Sequence, residues 1–142
     1  MLGLGGRIYT VVGWGDVSAA TSVLRVRAAD PLRSIQKVRR SERRDWRPIA
    51  VFEGEPKLVA QWPEVRDRLK AVESRPADIY TVVGFWHASG EAAVRTVEAG
   101  GGVIACQLVA AQLGASEVQV AACFRGQPAL IITAENLPDD FF

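Results

Sequence analysis

The sequence predicts an α+β protein built from two copies of one β-β-α-β-β unit. The run Ile8–Gly13 recurs as Ile79–Gly84, at an offset of 71 residues that is half of the 142-residue chain. Ten of the 22 positions in residues 8–29 are identical to those in residues 79–100. Because repetition at a fixed offset is typical of duplicated units, we expect two similar copies packed as a pseudo-dimer with mostly antiparallel sheet. Two strands that are similar by coincidence are the alternative.

The first copy is predicted to contain four strands and one helix. Apolar runs and apolar–polar alternation predict the strands Ile8–Trp14, Ser22–Ala28, Pro48–Phe52 and Lys57–Ala60. Asp30 and Pro31 supply an N-cap and a first-turn proline for a helix that runs to about Arg44. Gly54 and Pro56 mark the turn before the last strand.

The second copy repeats this order around a helix from about Val103 to Leu113. Its strands are predicted at Ile79–Trp86, Ala92–Ala99, Val118–Phe124 and Ala129–Thr133. Between the copies, Trp62 to Glu73 is predicted to form a connecting helix, since apolar residues recur there at i, i+4 and i+7. The expected domains are a first copy at 1–61, a connecting segment at 62–77 and a second copy at 78–142.

Net charge differs strongly between the two halves of the chain. The whole chain has 17 basic and 16 acidic residues and a formal net charge of +1. Residues 1–71 carry a net charge of +6 and residues 72–142 a net charge of −5. Since the repeated positions are mostly apolar while the charges differ, we expect function or partner choice to lie in the charged side chains.

Basic side chains concentrate on the predicted first helix. Four of them follow at spacings of four, three and four residues, which places them on one helix face: Arg33, Lys37, Arg40 and Arg44. Leu32, Ile35 and Val38 lie on another face and are expected to cover a sheet. Arg39 widens the basic zone, and Glu42 dilutes it, as does Asp45. The complete candidate site comprises Arg25, Arg27, Arg33, Lys37, Arg40, Arg43, Arg44, Trp46 and Arg47.

This pattern predicts a non-enzymatic binding protein whose basic face contacts an anionic partner, with nucleic acid favoured. Arg side chains bind phosphate bidentately, and Trp46 is expected to stack on a base. The alternative is a protein–protein adaptor or assembly subunit whose basic half docks on an acidic protein surface, including its own second half. A solvated helix face also explains such a charge pattern.

Residue types that perform catalysis or bind metals are scarce. The single histidine, His87, is close to Ser89, but no Gly-x-Ser-x-Gly motif accompanies them, so we expect a loop histidine and no enzyme. Cys106 and Cys123 are too few for a disulfide framework or a four-ligand zinc site. We expect them to be small buried thiols, with a redox pair as the alternative. The run Gly100–Gly102 lacks a P-loop lysine, so no nucleotide cofactor is expected.

The predicted second helix carries no charge, so we expect it to be buried between the copies or at a homodimer contact, with a ligand cavity as the less favoured alternative. No apolar stretch approaches the about 20 residues that a membrane span needs, and no signal peptide is evident, so we expect a cytoplasmic protein.

The C-terminal residues Asn136–Phe142 resemble the acidic, Phe-ended tip with which bacterial single-stranded DNA-binding proteins recruit partners. That resemblance implies a docking tail. Packing of Phe141 and Phe142 on the core is the alternative.

Overall fold

Two antiparallel four-stranded sheets and two α-helices form the α+β fold of the computed structural model, which describes residues 6–62 and 76–137. The strands are β1 (Arg7–Gly15), β2 (Thr21–Ala28), β3 (Trp46–Glu53), β4 (Leu58–Gln61), β5 (Asp78–Trp86), β6 (Ala92–Ala99), β7 (Val118–Arg125) and β8 (Leu130–Thr133). The helices are α1 (Pro31–Ser41) and α2 (Gly102–Leu113), and a short 3-10 helix covers Ala134–Asn136. The α+β class and the antiparallel pairing are thereby confirmed. The predicted connecting helix after Trp62 and the C-terminal tail after Leu137 lie outside the described residues.

The N-terminus of α1 forms as the sequence predicts, but its C-terminus does not. The Asp30 carboxylate accepts the backbone N–H of Arg33 at 2.9 Å, and Pro31 occupies the first turn. The helix ends at Ser41 rather than near Arg44, because Glu42 adopts an extended backbone and a turn follows, in which the Trp46 N–H donates to the Arg43 carbonyl. β3 consequently begins at Trp46, before the predicted start at Pro48.

Each sheet contains one strand from the other half of the chain. The first sheet has the order β2-β1-β3-β8, and the second has the order β4-β7-β5-β6. Thus β4, from the predicted first copy, pairs with β7, while β8, from the predicted second copy, pairs with β3. The predicted segments 1–61 and 78–142 are therefore interleaved through an exchange of their last strands.

The sheets stack face to face, and each helix covers an outer face. Between the sheets, Val12 and Phe52 of the first sheet meet Val83 and Phe124 of the second, with the two phenylalanine ring centroids 5.5 Å apart. Ile35 and Val38 of α1 pack on the outer face of the first sheet. The result is a four-layer arrangement in which strands that are buried on both faces form the core.

α2 covers the outer face of the second sheet, where it packs on strands of the second half and on β4 from the first half, rather than lying between the two sheets. Cys106 and Val109 pack against Val82 and Cys123 of the sheet, while Leu108 on the opposite side of the helix is 40% exposed. The core between the two halves is made by the sheets themselves, which leaves no room there for a helix. Both cysteines are buried and free, as predicted.

The two halves use matching backbone features. The hydroxyl of Thr10 donates to the Gly54 carbonyl at 2.8 Å, and the hydroxyl of Thr81 donates to the Gly126 carbonyl at 2.8 Å. Both glycines have a positive φ, +84° and +82°, which a residue with a side chain rarely adopts. The register of β1 on β3 shifts after Val12, and the register of β5 on β7 shifts at the corresponding place.

Neither helix of the described residues is long and apolar enough to cross a membrane.

Candidate functional site

The outer face of α1 presents three of the predicted basic side chains to solvent. Arg33, Lys37 and Arg40 are exposed, whereas Ile35 and Val38, on the opposite face, are buried against the first sheet. The three to four residue spacing therefore places these charges on one side of the helix, as expected. Leu32, which was expected to cover the sheet, is 36% exposed at the start of the helix.

Two further arginines extend this face beyond the end of α1. Arg43 and Arg44 are exposed in the segment between α1 and β3, so Arg44 contributes from a turn rather than from the helix. The basic surface is defined here as Arg33, Lys37, Arg40, Arg43 and Arg44. It follows the chain from the outer face of the helix to the loop at one end of the sheets.

Three of these side chains form no ion pair with the described part of the chain. Arg40, Arg43 and Arg44 make no side-chain hydrogen bond or ion pair within residues 6–62 and 76–137. By contrast, Arg33 lies 3.4 Å from the carboxylate of Asp30. Because a guanidinium offers five N–H donors, the three arginines can bind anionic groups without first breaking an internal contact.

Arg47 and Lys37 already have partners. Arg47 forms an ion pair with Asp16, across the β1–β3 pair. The ammonium of Lys37 donates to the backbone carbonyl of Arg27 at 2.7 Å. Lys37 keeps its positive charge in that contact, because a carbonyl does not neutralise it, whereas the charge of Arg47 is compensated.

Arg25 and Arg27 lie on the other side of the first sheet from α1. They pair with Thr10 and Ile8, whereas the intervening Val26 pairs with Tyr9, which packs under the helix. Since directly opposed residues of an antiparallel pair share a face, the two arginines project away from α1. The expected continuation of the basic surface onto β2 is therefore limited to the sheet edge.

Trp46 belongs to the core rather than to the basic surface. Its side chain is 6% exposed, and its indole N–H donates to the hydroxyl of Ser22 at 2.8 Å. A β-carbon at Gly13 would lie 2.0 Å from the indole nitrogen, so the glycine provides the space for the ring. So little of the ring is exposed that the basic surface as described does not include Trp46.

An open groove with a volume of about 1090 Å³ runs beside the basic surface. Its lining includes residues of the arginine-rich segment from Arg39 to Arg47, the β5–β6 turn at residues 87–91, and Ala134, Glu135 and Leu137. Trp14, Ile49 and Phe85 add apolar surface to this lining. The groove thus combines guanidinium groups with aromatic surface.

Acidic side chains also line the groove, but three of the five are engaged in internal contacts. Asp16 pairs with Arg47. Backbone N–H groups of Ser18 and Val17, together with the Ser18 hydroxyl, hold the pKa of the Asp45 carboxyl below its ordinary value. Glu42 and Glu91 have no such partner among the described residues.

Glu135 is the third engaged acid. Partial burial raises the pKa of its carboxyl, but hydrogen bonds from the N–H groups of Ala92 and Glu135 and from the Thr133 hydroxyl outweigh that effect and lower the pKa overall. The ionised carboxylate thereby fastens the 3-10 helix to the start of β6.

Sequence reasoning missed the aromatic side of the groove. Phe85 and His87 lie in the other half of the chain from the arginines, and the sequence predicts His87 to be a loop histidine with no catalytic role. A weak signal exists in the repeat, since the offset of 71 matches Phe85 with Trp14 and His87 with Asp16, which both line the groove. The repeat does not, however, indicate that the turn after β1 and the turn after β5 line the same groove.

The arrangement is suited to binding anions and flat aromatic groups. Within the described parts of the chain, no group of three or more His, Cys, Asp or Glu side chains is placed to hold a metal ion. No known protein-family model matches this sequence, and no curated protein or solved structure matches it either.

Proposed function

We propose that the protein is a non-enzymatic binding protein whose basic surface contacts the phosphate groups of a nucleic acid. The observation that carries this proposal is the presence of three exposed guanidinium groups, those of Arg40, Arg43 and Arg44, that have no side-chain partner among residues 6–62 and 76–137. Phosphate neutralisation by Arg and Lys is the main source of nucleic-acid affinity.

The position of the charges supports this proposal beyond their number. Arg33 and Lys37 continue the same exposed helix face, so five basic side chains follow one another along the surface. Bidentate Arg–phosphate contacts suit a linear array of phosphates, whereas a chain with a net charge of only +1 would attract polyanions weakly if its charges were evenly mixed.

Salt dependence of duplex binding tests the proposal. With about four phosphate contacts, the slope of log affinity against log salt should be about −3.6, at about 0.9 per contact. The double variant R40A/R44A should reduce the slope to about half and weaken binding similarly for all sequences, because phosphate contacts do not read bases.

A matched control removes two charges elsewhere. Lys57 and Arg95 are exposed and lie outside the basic surface. Because K57A/R95A also removes two basic side chains, it has the same net charge as R40A/R44A. The control should retain the wild-type slope. An equal loss of affinity in both variants would assign binding to net charge alone. If the wild type binds neither duplex DNA, single-stranded DNA nor RNA at low salt, the proposal is rejected.

An adaptor function is the second candidate, and charge complementarity favours it. The half of the chain from residue 72 carries a net charge of −5. The basic surface of one molecule therefore complements the acidic half of a second molecule of the same protein. Sedimentation at low and high salt tests this alternative. A salt-sensitive oligomer that R40A/R44A dissociates, without nucleic-acid binding, would support the adaptor.

We also infer that the chain arose by internal duplication, with the two copies related as a pseudo-dimer. The sequence repeat supports this inference, as do the equivalent threonine–glycine hydrogen bonds described above. The ion pair Arg7–Glu53 and the ion pair Asp78–Arg125 occupy equivalent positions with their charges reversed. The inference is tested by an experimental structure, in which residues 8–60 should superpose on residues 79–132.

A further inference from the structure

A row of aromatic rings leads from the core to the groove. The centroids of Trp14 and Phe85 are 5.2 Å apart, and those of Phe85 and His87 are 5.8 Å apart. Trp14 is buried, Phe85 is half-buried and His87 is exposed. The row therefore ends in a solvent-exposed aromatic ring that lines the same groove as Arg40, Arg43 and Arg44.

Backbone hydrogen bonds hold the turn that carries His87. The backbone N–H of His87 donates to the Glu117 carbonyl at 2.9 Å, and the backbone N–H of Gly90 donates to the Trp86 carbonyl at 2.7 Å. The His87 ring meets Phe85 nearly at right angles, at 78°, so at least one imidazole face stays uncovered by Phe85. That uncovered face leaves room for a flat ligand to stack on the imidazole.

We propose that this groove binds an unpaired stretch of nucleic acid, with a base stacked on His87 and the neighbouring phosphates bound by Arg40, Arg43 and Arg44. The proposal rests on the proposed nucleic-acid function and names the form of nucleic acid that the groove takes. Aromatic stacking combined with basic side chains along the backbone is the general way in which proteins hold single strands.

The groove favours a single strand over a duplex. The faces of duplex bases are covered by their neighbours in the stack, so His87 cannot reach them without unstacking. Unpaired bases have free faces. The α1 part of the basic surface, with Arg33 and Lys37, lies on the outer side of the helix and stays accessible to a duplex.

Fluorescence anisotropy with labelled single strands of about 12 nucleotides, in DNA and RNA forms, and with a duplex of the same sequence tests the proposal. H87A should weaken single-strand binding by about 5- to 100-fold, the range expected for loss of one stacked base, and should leave duplex binding unchanged. H87F is the matched variant. Because it keeps a flat ring and loses the imidazole nitrogens, it should bind single strands within about threefold of wild type.

The outcomes separate this proposal from the proposed function. Unchanged single-strand binding by H87A, with reduced binding by R40A/R44A, would overturn the stacking site and leave the nucleic-acid function intact. A loss in H87F as large as that in H87A would also overturn it, since the contact would then depend on the nitrogens. Displacement of the strand by adenosine monophosphate at concentrations near the strand's own Kd would identify a free nucleotide as the ligand instead. No binding of any nucleic acid by the wild type would reject both proposals.

Discussion

The thiols of Cys106 and Cys123 illustrate how completely the second sheet and α2 exclude solvent. Both residues are at most 1% exposed and belong to one cluster of buried residues. A hydrogen bond with the Cys106 thiol, together with burial, raises the pKa of the Cys123 thiol far above its ordinary range. Since the thiolate is the reactive form, Cys123 stays protonated and inert at neutral and mildly alkaline pH.

Thiol labelling tests this description of the core. We expect neither cysteine to react rapidly with an aromatic disulfide reagent in the native protein at pH 8, whereas both should react at once in denaturant. The raised pKa favours the neutral thiol, so stability should fall as pH rises past the ordinary pKa of a cysteine, where the unfolded chain becomes ionised first. Rapid stoichiometric labelling of the native protein would contradict the burial.

Individual residues also show which parts of the candidate site the sequence predicts. The helical spacing places Arg33, Lys37 and Arg40 on one face of α1. The apolar Ile35 and Val38 lie on the opposite face and are buried, so the basic face is exposed. The burial of Trp46 depends on Gly13, which is 33 residues earlier in the sequence and leaves space for the indole. Such a contact between distant residues has no local sequence signature.

Among the secondary-structure elements, α1 depends on its N-terminal cap. The Asp30 carboxylate accepts the Arg33 N–H and also lies near the Arg33 guanidinium. A helix leaves its first backbone N–H groups without internal partners, and a side-chain acceptor satisfies one of them. The N-cap of α2 is Gly101, which has no side chain to cap the helix, so packing on the second sheet holds α2 instead.

Substitution of Asp30 separates the cap from the ion pair. We expect D30A to lower the free energy of unfolding by about 1 kcal/mol, since it removes the capping acceptor. D30N keeps a capping oxygen and loses only the exposed ion pair, so it should cost less than about 0.5 kcal/mol. Urea unfolding monitored by circular dichroism measures both values. Equal destabilisation by the two variants would show that the charge, and not the cap, stabilises the helix.

The limits of the helix and strand predictions have a common cause. Most predicted boundaries lie within one or two residues of the observed ones, because hydrophobic alternation and capping are local signals. The C-terminus of α1 is the larger exception, since the pattern of basic residues continues past Ser41 although the backbone does not. The spacing of Arg44 fits a continued helix as well as it fits a turn. The helix nevertheless ends at Ser41, because the chain must turn before β3 begins at Trp46.

At the scale of the whole molecule, the exchange of β4 and β8 joins the two halves. The sequences of β4 and β8 are similarly apolar, and each strand could bury its apolar residues by pairing within its own half. The repeat alone therefore does not predict which strand each of them pairs with. Stacking of the two sheets brings the last strand of each half to the third strand of the other. The groove depends on the same arrangement, since its lining residues come from both halves of the chain.

The exchange predicts that neither half folds alone. A fragment of residues 1–62 would lack the β8 partner of β3 and would expose Val12 and Phe52, which are fully buried in the intact chain. The fragment of residues 63–142 would lack β4 and would expose Val83 and Phe124 in the same way. Exposure of such an apolar sheet face is too costly for units of this size, which bury little surface by themselves.

Fragment complementation measures this dependence. Each fragment alone should give no cooperative thermal transition and little near-ultraviolet circular dichroism, whereas an equimolar mixture should recover both, because each supplies the strand and the sheet face that the other lacks. F52A, introduced into the 1–62 fragment, should weaken the complex by about 3–5 kcal/mol, since the Phe52 ring packs on Phe124 of the other fragment. The exposed V17A serves as its control and should leave complementation unchanged. A cooperative transition in either isolated fragment would show that the halves are independent domains and that the exchanged strands are dispensable for folding.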